Sequence, residues 1–180
     1  MLFFLACAHP VDVALTAAEV APTMANAQPW DGPDNVPAET KGLAEGILAQ
    51  LDPSGQLGTA VFATAEALVQ PDVSATAKYD PADGGAASTM VLPAVSDTLS
   101  PTWALNPVTT FSRVTLGSKS TLSVVFVDKD VQTDDPIGTV TLSASDLARA
   151  ERTGEPLVVD VSGQTSGQLK TVTASVVASP

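Results

Sequence analysis

Between Val11 and Val177 the sequence keeps returning to one short pattern, apolar residues alternating with small or polar ones and then a break of turn-forming residues. The stretches are Val11 to Val20, Val73 to Tyr79, Thr89 to Val95, Val108 to Leu116, Leu122 to Val127, Ile137 to Leu142, Leu157 to Val161 and Leu169 to Val177. A strand turns successive side chains to opposite faces, so each such stretch has one apolar face and must bury it against a second sheet. Pro93 lies inside one of them and marks an edge strand or a bulge. The expectation is an all-β, antiparallel sandwich.

Two segments break the pattern. Residues 21–39 are polar and Pro-rich, and Asp31-Gly32 and Pro33-Asp34 mark turns in a long loop. Across about 40–69, Leu43, Ile47, Leu48 and Leu51 fall at helical spacing, as do Val61, Ala65 and Leu68, with Asp52-Pro53-Ser54-Gly55 between them, which predicts two short helices.

With 180 residues, 44% of them hydrophobic, and no internal repeat, the chain suits one well-buried core. It holds 20 acidic and 8 basic residues, a net charge of −12. Such a surface is not built to neutralise phosphate, so nucleic acid is excluded as the expected partner. An anionic membrane is repelled as well, unless a bound divalent cation reverses the local sign. Cys7 and His9 are each alone in their kind, which leaves no zinc site and no disulfide framework. Residues 1–8 read as a signal and lipobox remnant, because Cys7 follows the apolar Met1-Leu2-Phe3-Phe4-Leu5-Ala6, though neither Lys nor Arg precedes it. The expectation is an exported protein of the cell envelope, lipid-anchored through Cys7, with 9–180 as its domain. No stretch reaches the ~18 apolar residues of a membrane-spanning helix.

The sharpest local feature is Val124-Val125-Phe126-Val127-Asp128-Lys129-Asp130-Val131-Gln132-Thr133-Asp134-Asp135-Pro136-Ile137-Gly138, an apolar strand emptying into four aspartates. Asp128 and Asp130 are two apart, so on a continuing strand their carboxylates point the same way. Like charges a few ångströms apart repel by about 4 kcal/mol at an effective dielectric of 20, and convergence of oxygens suits Ca²⁺. An EF-hand is rejected, since counting from Asp128 puts Thr133 where glycine is required and Thr139 where glutamate is expected.

The run from Leu122 to Leu142 resembles the sixth strand, third calcium loop and seventh strand of C2 domains. Thr98-Leu99-Ser100-Pro101-Thr102-Trp103 is similar to the family's Leu-Asn-Pro-x-Trp segment. Gln70-Pro71-Asp72-Val73-Ser74-Ala75-Thr76-Ala77 is similar to its Asp-Pro-Tyr-Val-x-Val segment, and Gly167 to Val177 to its closing strand. The resemblance implies an eight-stranded Greek-key sandwich with a short helical insertion in the first calcium loop. It implies calcium ligands at Asp128, Asp130 and Asp135, with Asp72 and Asp31 or Asp34 from the first loop. The stretch 35–70 departs from the family, whose first loop is only a few residues long. The insertion then emerges at the calcium end, as an interfacial membrane contact, a partner-binding lid or a satellite core packed on the sandwich.

The expected function is a calcium-dependent module that attaches to a phospholipid membrane or to an envelope protein. The alternative is a calcium-independent structural or protein-interaction envelope lipoprotein, in which the aspartates are vestigial, as solvated loop, turn or cap residues. Trp30 and Trp103 read as core or loop anchors. No enzyme is expected: the single histidine leaves a nucleophile without a base, no Gly-x-Ser-x-Gly or phosphate loop occurs, and no small-molecule substrate is implied.

Overall fold

The computed structural model describes residues 10–27, 30, 46, 70–81, 84–130, 133–162 and 167–180. Eight strands follow in order: β1 (Pro10–Val20), β2 (Val73–Asp80), β3 (Ser88–Val95), β4 (Thr110–Thr115), β5 (Thr121–Asp128), β6 (Asp135–Ser143), β7 (Leu157–Asp160) and β8 (Leu169–Ala178). A helix, α1 (Ala144–Thr153), stands between β6 and β7. The strands form two four-stranded antiparallel sheets, ordered β4-β1-β8-β7 and β3-β2-β5-β6. All eight expected strands are present. The expected helices at 40–69 fall outside the described residues, apart from Gly46, which is helical.

The core is the alternate side chains of both sheets. Val73, Ala75, Ala77 and Tyr79 of β2 and Leu122, Val124 and Phe126 of β5 face Val13 and Leu15 of β1 and Val172, Ala174 and Val176 of β8, all buried. Each Val, Leu or Phe removed from water contributes about 1.5 to 3 kcal/mol. Trp30 and Trp103 are core anchors, and their indole N–H groups donate to Ala21 O at 2.8 Å and Pro93 O at 2.9 Å.

β1 changes its inward parity along its length: Val11, Val13 and Leu15 are buried, then Ala18 and Val20. The register with β8 slips between Leu15 and Ala17, leaving Thr16 as an extra residue, and one bulge residue swaps the faces of all the strand positions after it. Beyond the bulge β1 takes a new neighbour. Trp103 N donates to Thr16 O at 2.9 Å, Ala18 N to Pro101 O at 3.1 Å and Val20 N to Leu99 O at 2.8 Å. The Leu99 to Trp103 segment thus continues the sheet edge past β4. β3 is an edge strand, and its register with β2 slips between Val73 and Ala75, so Pro93 sits where its missing N–H costs least.

Helix α1 has no counterpart in the expected elements. Ser143 caps it by accepting from Asp146 N at 3.2 Å, and Gly154 ends it at φ 69. Leu147 and Ala150 are its buried contacts with the sandwich.

One bond outside the ladders ties the two layers, and two more brace a single sheet. Tyr79 of β2 donates its hydroxyl to Thr115 O of β4 at 2.5 Å, across the two sheets. Asp12 Oδ1 accepts from Arg113 N at 2.8 Å, where β4 bulges with Arg113 at φ 56, and from the Ser179 hydroxyl just past β8. The Ser179 and Arg113 hydrogen bonds hold the Asp12 carboxyl below its usual value of 3.8. A carboxyl so shifted stabilises the fold above the unfolded value and loses that contribution as pH falls through the lower folded one. Asp12→Ala is therefore expected to melt below wild type at pH 7, and the gap should close in melts taken progressively below pH 3.8. Tyr79→Phe is expected to cost about 1 kcal/mol in urea unfolding with the m value unchanged.

Candidate functional site

β3 and β5 end, and β2 and β6 begin, at one end of the sandwich, where Val73 is opposite both Val95 and Asp128 and Asp128 is opposite Asp135. At that end the inward column of β5, Leu122, Val124 and Phe126, continues for one more position, and that position is Asp128. It is 0% exposed. A carboxylate placed on the core face by strand alternation is costly unless its surroundings compensate it. Its Oδ1 accepts the Asp72 N–H at 2.6 Å, and Asp72 O in turn accepts the Lys129 N–H at 2.9 Å. The end of β5 and the residue before β2 are thereby latched together. Asp128 Oδ2 is enclosed as well.

Directly opposite Asp128 in β6 stands Asp135. Opposed residues of neighbouring strands share a face, so these two side chains lie on the same side of the sheet. The Asp72 carboxylate engages the β3–β4 loop, its Oδ1 accepting the N–H of Asp97 at 2.9 Å. Asp97 has φ 50, a left-handed conformation that aspartate tolerates better than most residues. Thr98 N donates to Pro71 O at 3.1 Å, so the β3–β4 loop is pinned to the start of β2. Lys129 Nζ forms an ion pair with Asp134 Oδ2.

Of the six aspartates expected as ligands, Asp72, Asp128 and Asp135 come to one end of one sheet. Asp130 follows two residues after β5 has ended, so the alternation that would align it with Asp128 no longer applies there. Asp31 and Asp34 lie outside the described residues. Among the described residues no group of three or more His, Cys, Asp or Glu side chains is placed to hold a metal ion. The structure separates the neighbouring pair: Asp135 faces Asp128, while Asp134 faces Lys129. Asp97 and Lys129 are the participants that sequence reasoning missed. The signal for Lys129 was its place between two aspartates, and a lone Asp97 after Ser96 gave none.

Beneath the site, the Trp103 and Phe126 rings stand 6.3 Å apart at a tilt of 45°. Phe126 precedes Asp128 by two residues on the same face, so the Leu99 to Trp103 segment both edges one sheet and floors the acidic end of the other.

The sequence matches no protein-family model and no curated protein. Solved structures are similar to it. Human GIVD cytosolic phospholipase A2 aligns over 94% of this chain at 14% identity, with a TM-score of 0.50. The paired C2 domains of Extended-Synaptotagmin 2 align over 98% of this chain and 43% of theirs, at 11% identity and a TM-score of 0.46. BON1-C2B aligns over 94% of this chain and 90% of its own, at 12% identity and a TM-score of 0.42. This chain spans only 16% of the phospholipase, so the likeness concerns a fold and not that protein's activity. Two four-stranded antiparallel sheets in this strand order give this chain a C2-like fold.

Proposed function

We propose that this chain is a non-catalytic, calcium-dependent binding module of an exported envelope protein, whose loop end attaches to a phospholipid membrane or to a partner protein. The observation that carries the reading is the position of Asp128, wholly buried at the end of an apolar column, in register with Asp135 and bonded to the N–H of Asp72. The donors at this end are all oxygen, the set a hard cation prefers. Asp128 and Asp135 would hold the ion, with Asp130, Asp72 and Asp31 or Asp34 completing the set. Calcium bound there would supply positive charge and coordination positions for lipid or protein oxygens. The chain's charge of −12 makes such a charge reversal necessary for contact with an anionic surface. Export and anchoring through Cys7 rest on the sequence of residues 1–8, and an exported protein meets calcium at levels that suit weak sites.

A second reading, a calcium-independent structural or protein-interaction module, is favoured by where the carboxylate oxygens are engaged. Asp128 Oδ1 accepts from Asp72 N, Asp72 Oδ1 from Asp97 N, and Asp134 Oδ2 is paired with Lys129.

Thermal unfolding of the whole chain in EDTA and in a calcium series separates the two. For dissociation constants of about 10⁻⁴ to 10⁻³ M, about 5 mM calcium is expected to raise stability by roughly 1 to 2 kcal/mol. The Asp128→Asn/Asp130→Asn variant keeps an oxygen for the Asp72 N–H, so it should fold, show no calcium-dependent rise and fail to cosediment with phosphatidylserine vesicles. No shift in wild type at that concentration retires calcium and leaves the second reading.

A further inference from the structure

Sheet edges are templates for further strands, and of the four among the described residues three are spoiled for that use. β3 carries Pro93 and a bulge and receives the Trp103 indole at Pro93 O. β4 is broken at Arg113 with φ 56. β7 has only 4 residues. β6 differs. Its register slips near Ile137, between Phe126 and Val127 of its partner, and after that slip Gly138-Thr139-Val140-Thr141-Leu142-Ser143 runs without proline, charge or bulge. Among the described residues, no backbone hydrogen bond reaches Gly138 to Leu142 from beyond β5.

We propose that this edge pairs with the same edge of a second copy of the chain, joining the two sheets into one across a two-fold axis. The choice of occupant rests on the segment's self-complementarity. In an antiparallel pairing of β6 with itself, residues that meet must share a face, so their numbers must differ by an even amount. Centred on Thr141, Thr139 meets the partner's Ser143, Val140 meets the partner's Leu142, and Thr141 meets the partner's Thr141. Exposed hydroxyls then stand together on the outer face, while Val140 and Leu142, both buried, meet their like at the seam of the cores. The neighbouring exposed face is uncharged too, with Val125 at 45% exposure beside Thr139 and Ser123 hydrogen-bonded to Thr141. In a chain of charge −12, an uncharged edge is where two copies approach with least repulsion.

Sedimentation of the full chain over a concentration series tests this. The expected result is a dimer that tightens as salt is raised from about 0.05 to 0.5 M, because screening relieves repulsion between the acidic bodies. Thr141→Glu sets two carboxylates against each other and should weaken the dimer at least tenfold, with its melt confirming that the monomer folds. Independently, Thr141→Cys in a Cys7→Ser background should oxidise to a linked dimer far faster than Val91→Cys, which sits on the edge spoiled by Pro93. A monomer throughout the series overturns the proposal. So do a dimer indifferent to Thr141→Glu, which places the interface elsewhere, and equal cross-linking rates for the two cysteines. Association of β6 with an extended peptide of another protein, without self-association, overturns the choice of occupant.

Discussion

Eight residue pairs, from Val73 opposite Asp128 to Asp80 opposite Thr121, join β2 to β5, and most of what is distinctive in the molecule depends on that one register. It selects which side chains become core. A slip of one residue would send Leu122, Val124 and Phe126 to solvent and bring Ser123 and Val125 inward, a loss of several side chains each contributing about 1.5 to 3 kcal/mol. The same register carries Asp128 to the mouth of the sandwich on the buried side. There the Asp72 and Lys129 backbone bonds close the end of the ladder. Core and acidic end are consecutive positions of one column.

The strands were legible in the sequence because alternation is a direct imprint of a half-buried sheet. Less visible was any place where a small residue stands in for a large one. Helix α1 buries Ala144, Leu147 and Ala150, too faint a stripe to compete with the strand pattern around it. Its readable marks were local: Ser143 three residues before Asp146, and Gly154 at the far end. The parity change in β1 left no mark either, since Thr16 is compatible with strand or bulge and only the pairing partners reveal which it is.

At the acidic end, legibility followed the same rule. Asp128 and Asp135 could be placed from the strands that carry them, since β5 ends on one and β6 begins with the other. Asp130 lies past the last strand residue, where periodicity no longer predicts direction. Asp72 also lies at this end, through its N–H bond to Asp128. Its side chain nevertheless turned to a backbone N–H of the β3–β4 loop, a choice made by Asp97's left-handed conformation and not by anything adjacent in sequence.

The edge beside β1 is assembled from two pieces of chain, β4 below Thr16 and the Leu99 to Trp103 segment above it. Residues 104–109 leave the edge at the junction and rejoin it immediately, with Thr109 bonded back to Ala104 O and Asn106. Both pieces keep their own hydrogen bonds to β1 whatever the length of the excursion between them. Such a junction tolerates insertion: doubling the excursion costs only about 0.6 kcal/mol of closure entropy. The splice is thus a place where the chain can acquire new sequence, or lose it, without either sheet being rebuilt.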